Sequence, residues 1–251
     1  MSIFPPRRLV IAHRGDSAHQ PENTLLAFTE AEDAGADAVE LDVRLTADGV
    51  PVVMHDPDVG AVTDGRGAVH ELTLEQIKEL DAGRGERVPT LEEVAASVGI
   101  GLDVEIKNVP GEEAFDSPEE AALLATLGAL DASGFAHPLL ISSFNWLTLE
   151  RCRELRPEIE TGFLTVAAID PRASLSYARD SGHRWILPQA PAILESGPAV
   201  IEEAHASGVR VGTWTVDDTD VAMSLFEMGV DAVATNDPGA LVGLARSGED
   251  G

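Results

Sequence analysis

The sequence predicts a somewhat distorted (β/α)8 TIM barrel, and three observations carry that prediction. Short apolar runs alternate with helical patterns over nearly all of the 251 residues. Eight of these runs have strand length and character, and helical stretches separate them. Several of the helical stretches end in Gly, the residue favoured just past a helix C-terminus. Alternation implies a parallel α/β arrangement, and a count of eight favours closure over an open sheet.

The predicted strands, in order, are LVIAHRG (9–15), AVELDVRLT (38–46), GLDVEIK (101–107), PLLISSF (138–144), TGFLTV (161–166), RWILPQ (184–189), VRVGTWTV (209–216) and DAVATND (231–237). Helical patterns such as ENTLLAFTEAEDAG, SPEEAALLATLGALDASG, AVIEEAHASG and DTDVAMSLFEMG lie between them. The irregular part runs from Gly49 to Glu93. There PVVMHD reads as an extra short strand, VGAVTDGRGAVHEL is rich in turn residues, and TLEQIKEL reads as a short helix. The expectation is a single domain over 1–251, with a small insertion after the second strand at about 57–89.

Composition narrows the function. Hydrophobic residues at 44% suffice for a sizeable core. A net charge of -27 argues against a nucleic-acid or anionic-membrane partner, because phosphates would be repelled. A small anionic substrate is not excluded, since it answers to local charge. The lone Cys152 rules out an intrachain disulfide and a cysteine-cluster metal site; it is expected to pack on the helix LTLERCREL. No apolar run reaches the ~18 residues of a membrane span, and MSIFPPRRLVIAHRG lacks a signal-peptide core. The expected location is the cytoplasm.

The chemistry is concentrated at strand ends. In AVELDVRLT, Val39, Leu41, Val43 and Leu45 form one face, while Glu40, Asp42 and Arg44 form the other. GLDVEIK repeats the pattern, with Leu102, Val104 and Ile106 opposite Asp103, Glu105 and Lys107. Charged faces directed into a barrel are costly unless paired or metal-bound. Such acids, without cysteine, favour a hard divalent cation, Mg²⁺ or Ca²⁺, over zinc. Lys107 is one of only two lysines, and an ammonium inside an apolar strand can either neutralise Asp103 or meet a phosphate oxygen. His13 and His55 each end an apolar run, LVIAH and PVVMH, where imidazoles can serve as general acid and base. Arg14 can clamp an anion, and Gly15 permits a sharp turn. In the PENT stretch, Asn23 or Thr24 caps a helix, and Glu22 and Asn23 stand within reach of His13.

Taken in order, HRGDSAHQPENTLLAF, VELDVRLTADGVPVVMHD, LDVEIK, SSF, GTWTV and TNDP resemble the glycerophosphodiester phosphodiesterase family, over about Leu9 to Leu244. The resemblance implies a barrel with a small insertion and metal-dependent hydrolysis of a glycerophosphodiester to glycerol 3-phosphate and an alcohol. It further implies Glu40, Asp42 and Glu105 as metal ligands, and His13 and His55 as the acid–base pair. Arg14 and Lys107 would contact phosphate, and Trp214 would line the glycerol side. Three stretches depart from the family's usual pattern: GAVTDGRG after HDPDV, Asp217 after Trp214-Thr215-Val216, and Asn236 in Thr235-Asn236-Asp237-Pro238. All three are expected in substrate loops. A related phospholipase D-like or lysophospholipase D-like enzyme, and a non-catalytic phosphodiester-binding barrel, are the alternatives.

Overall fold

The computed structural model describes residues 4, 5 and 8–247. Its strands are β1 (Leu9–His13), β2 (Ala38–Leu45), β3 (Pro51–Val53), β4 (Gly101–Ile106), β5 (Leu139–Ser143), β6 (Glu160–Thr165), β7 (Trp185–Pro188), β8 (Arg210–Thr213) and β9 (Ala232–Thr235). The helices are α1 (Leu25–Asp33), α2 (Leu74–Lys78), α3 (Leu91–Ser97), α4 (Ala121–Ser133), α5 (Trp146–Leu155), α6 (Pro171–Ser181), α7 (Ala190–Ser196), α8 (Pro198–Ala206), α9 (Thr219–Glu227) and α10 (Pro238–Ser247). Parallel pairing runs β1-β9-β8-β7-β6-β5-β4-β2, and a β1–β2 pairing closes the ring. The (β/α)8 barrel predicted from the alternation is therefore present, with β3 as the extra strand.

Period-two alternation explains how the ring is filled. The outward residues Val39, Leu41 and Val43 of β2, and Leu102, Val104 and Ile106 of β4, are buried with Phe28 of α1, Val94 of α3 and Leu123 of α4. The inward residues Leu9, Leu140, Trp185 and Leu187 form an apolar floor, joined by Phe4 edge-on to Trp185 at 6.0 Å. Gly162 and Gly212 flank Leu187, and a Cβ on either would lie 2.6 or 2.7 Å from its methyl carbons. Within the floor, Leu187 is thus seated between two residues without side chains. Above it the inward face becomes charged, because β2 and β4 pair with Glu40 opposite Asp103 and Asp42 opposite Glu105.

The departure from a regular barrel starts on β2. Its pairing with β1 ends at His13 opposite Glu40, and beyond that point Val43–Leu45 pairs antiparallel with β3. The segment after β3 buries Val59, Val69, Ile77 and Val88 against Val52 and Met54, a small apolar cluster of its own. Two helical details differ from expectation. The helix predicted from Ser117 starts at Ala121, because Glu120 adopts φ +54°. Its carboxylate turns inward and accepts from Asn108 Nδ2 at 2.8 Å and Thr148 Oγ1 at 2.6 Å. Helix α7 has no counterpart among the predicted patterns; its seven residues are too few to show a full apolar stripe. Cys152 is buried within α5. Among the described residues, no helix is long and apolar enough to cross a membrane.

Candidate active site

The C-terminal end of β1 delivers His13, and the next two residues reverse the chain. Arg14 has φ +56° and Gly15 φ +84°. The Arg14 amide donates to the Glu40 carbonyl at 3.0 Å and to Glu40 Oε2 at 3.1 Å, while Asn23 N donates to the Arg14 carbonyl at 3.0 Å. A Cβ on Gly15 would stand 2.6 Å from the carbonyl carbon of Ala27, so α1 packs directly on that glycine. Thr24, and not Asn23, caps α1, accepting from Ala27 N. Gly15→Ala is expected to destabilise the protein by about 1–3 kcal/mol, since strain and clash act together. Urea unfolding measures this, and an unchanged midpoint would contradict the packing described.

The acids converge. One ligand atom each from Glu40, Asp42 and Glu105 lies within 4.8 Å of the others. Lys107 Nζ stands 2.6 Å from Glu105 Oε1 and 3.0 Å from Asp42 Oδ1. Arg14 Nε approaches Asp42 Oδ2 at 3.2 Å, and Arg14 Nη1 approaches Glu22 Oε1 at 3.0 Å. Asn23 Nδ2 donates to Asp42 Oδ2 at 2.9 Å. Burial pushes Glu40 well above the usual carboxylate range, and repulsion from Asp42, Glu105 and Asp103 adds to it. Burial likewise raises Glu105 to about 7, against the pull of Lys107. Asp42 differs: burial opposes its ionisation, but Lys107, Arg14 and His55 outweigh that and hold it below the usual range. Asp103 accepts from Ser142 Oγ at 2.6 Å, and burial raises it to about 7. Lys107 therefore pairs with Asp42 and Glu105, not with Asp103.

The two histidines have different supports. His13 Nδ1 lies 2.8 Å from Asn236 Oδ1, and Asn236 is held by Asp217 through Nδ2 at 2.8 Å and its amide N at 2.7 Å. An acceptor-only carboxylate directs the amide NH2 of Asn236 toward Asp217 and its oxygen toward His13. His13 then donates from Nδ1, which leaves the Nε2 lone pair free on the side facing Glu40 Oε2, 4.0 Å away. Burial, then the Arg14 charge, lowers the His13 pKa below its ordinary 6.5. His55 Nδ1 instead meets the Asp56 carboxylate at 2.9 Å. Its chain is delivered by β3 and by the Met54 amide, which donates to the Asp42 carbonyl at 2.8 Å.

His13, Arg14, Glu40, His55, Glu105, Lys107 and Trp214 line one cavity of about 150 Å³ at the barrel mouth. Asp42, 1% exposed, stands outside the lining. Trp214 donates from Nε1 to the Leu187 carbonyl at 2.7 Å and meets Phe144 edge-on at 5.6 Å. It is at once packed and part of the wall. Every site residue predicted from the sequence thus lies in or directly beside this cavity.

Three polar supports were not predicted: Asp56 beside His55, and Asn236 with Asp217 behind His13. The last two were expected in substrate loops, but their side chains point at each other and at the imidazole. Their only sequence signal was departure from the family pattern. The donor set suits a hard cation, because it consists of buried carboxylate oxygens whose mutual repulsion a divalent charge would relieve.

Comparison with known proteins agrees with the geometry. The glycerophosphoryl diester phosphodiesterase family pattern matches residues 13–240. A glycerophosphodiester phosphodiesterase of Caldanaerobacter subterraneus subsp. tengcongensis is 37% identical, over 96% of this chain and 99% of that protein. An Oleispira antarctica phosphodiesterase, solved with its product sn-glycerol-3-phosphate, superposes with a TM-score of 0.86 at 30% identity, covering 100% of both chains. A Thermotoga maritima glycerophosphodiester phosphodiesterase gives 0.76 at 27% identity, over 95% of this chain and 98% of that one. The chain with this barrel and this cluster of acids, bases and histidines belongs to the glycerophosphoryl diester phosphodiesterase family.

Proposed function

We propose that the protein hydrolyses glycerophosphodiesters to glycerol 3-phosphate and an alcohol, with a divalent metal and two histidines. The observation that carries this reading is the convergence of both imidazoles, Arg14, Lys107 and a three-carboxylate cluster on one cavity. Glycerol 3-phosphate bound to the Oleispira relative supports the same product. Glu40, Asp42 and Glu105 would hold Mg²⁺ or Ca²⁺, which when bound offsets charge on the phosphodiester oxygens. Arg14 and Lys107 present further positive charge to the non-bridging oxygens. Trp214 forms the wall against which the glycerol carbons rest.

The proton work divides by environment. His13, neutral and with its Nε2 lone pair facing the site, takes the proton of the attacking hydroxyl, either that of water or that of the substrate's own glycerol. In the second case water opens the resulting cyclic phosphate to glycerol 3-phosphate in a second step. His55, held through Nδ1 by the Asp56 carboxylate, gives a proton to the departing alkoxide as its bond to phosphorus breaks. The chain acts as one unit, and the segment after β3 packs its own apolar cluster against Val52 and Met54, just before His55 in the chain.

The direct test is release of glycerol 3-phosphate from glycerophosphocholine with added Mg²⁺ or Ca²⁺, with and without EDTA. Metal-dependent release is expected, abolished by EDTA. Inactivity on several headgroups would point to a binding barrel. Turnover confined to lysolipids, with a cyclic product, would point to a phospholipase D-like enzyme.

A further inference from the structure

Arg44 completes the inward row that Glu40 and Asp42 begin on β2, yet it does not line the cavity described above. It is 6% exposed. It borders a second cavity, of about 520 Å³, that lies between residues 57–70 and 108–122; Lys107 forms part of the wall of both. Its Nε donates to the carbonyl oxygen of His55 at 2.7 Å. Its two terminal nitrogens donate to the Glu112 carboxylate at 2.6 and 3.1 Å. One side chain thereby joins the strand of the acids, the turn that carries His55, and the segment that follows Lys107.

The geometry is directional. A guanidinium is planar, and its donors leave it along fixed lines. Once the fork is seated on Glu112, the plane is set, and the Nε–H can only point at the His55 peptide. That peptide lies beyond the last β2–β3 pair, where no sheet partner orients it. We infer that Arg44, braced by Glu112, is a positioning residue that sets the direction in which His55 presents its imidazole. This rests on the reading of His55 as a proton donor in the reaction. Lysine cannot replace it, because one ammonium on a flexible stem does not hold two acceptors in a fixed plane.

The test is a double-mutant cycle on glycerol 3-phosphate release at saturating metal, comparing Arg44→Met in the wild-type and His55→Ala backgrounds. Arg44→Met keeps the stem and leaves Glu112 at a partly exposed position, where water can solvate it. In the wild-type background kcat is expected to fall roughly 10–100-fold with KM changed by less than about threefold, in the way a displaced catalytic group acts. In the His55→Ala background the same change is expected to cost nothing further. Arg44→Lys should resemble Arg44→Met. Glu112→Gln, at a partly exposed position, should show a smaller kcat loss that also vanishes without His55. An equal loss in both backgrounds, or full activity of Arg44→Met, would overturn the inference while leaving the role of His55 intact. Wild-type activity in His55→Ala itself would sink both.

Discussion

Replacing His13 or His55 by Ala lowers kcat by roughly 10²–10⁴-fold, the range for losing a general acid or base. The two variants should differ in pH behaviour. His13 is held below its ordinary 6.5 by burial and by Arg14, so its base form persists into mildly acidic solution. At saturating metal, the acid limb of kcat/KM is therefore expected at a midpoint below that value, and it should disappear in His13→Ala. Near-wild-type turnover by both alanine variants would remove the proton-transfer assignment altogether. The folded state should survive both changes, because both rings are partly exposed at the cavity wall.

The second large effect concerns Glu40. Glu40→Gln removes one of three converging carboxylates and is expected to raise the metal concentration needed for activity. The increase should be at least the ~10–100-fold that losing a mere outer-shell partner costs. The same substitution should stabilise the metal-free protein. Glu40 and Glu105 have pKa values raised in the folded state, with Glu105 at about 7 against an ordinary 4.5. Between those values the unfolded chain has released the Glu105 proton and the folded chain retains it, so stability falls as pH rises through that window. Above it the loss persists. Asp42, held low, acts oppositely, but below the ordinary value of 3.8. Melting in EDTA should therefore show Tm declining from about pH 5 to pH 7.5, with a shallower decline in Glu40→Gln. A metal titration identical to wild type would exclude Glu40 as a ligand.

Much of this was legible in the sequence because β-strands repeat every two residues. Parity alone placed Glu40, Asp42, Glu105 and Lys107 on an inward face, and burial of Leu41 and Val104 beneath helices follows from the same rule. The histidines could be found because each ends an apolar run. What parity cannot supply is contact between distant segments. Asn236 meets His13 across 223 positions of chain, and Glu112 meets Arg44 across 68. Neither residue type announces a partner. The delayed start of α4 was hidden for a similar reason, since the Glu120 side chain is drawn inward by Asn108 and Thr148. Asp103 shared the parity of the ligands and was unassigned by resemblance; its carboxyl is engaged by Ser142 on the neighbouring strand.

The tryptophans are distributed by depth. Trp185 is enclosed at the floor beneath the Arg210 guanidinium, 4.4 Å from its ring centroid. Trp146 is 54% exposed on an outer helix, while Trp214 at the mouth and Trp185 at the floor both line the cavity. The intrinsic fluorescence of this protein thus contains one emitter at the mouth, one at the floor and one half-exposed on the outer surface. Occupancy of the cavity would change the two emitters that line it and spare Trp146, which gives the molecule an optical signal for binding that is independent of turnover.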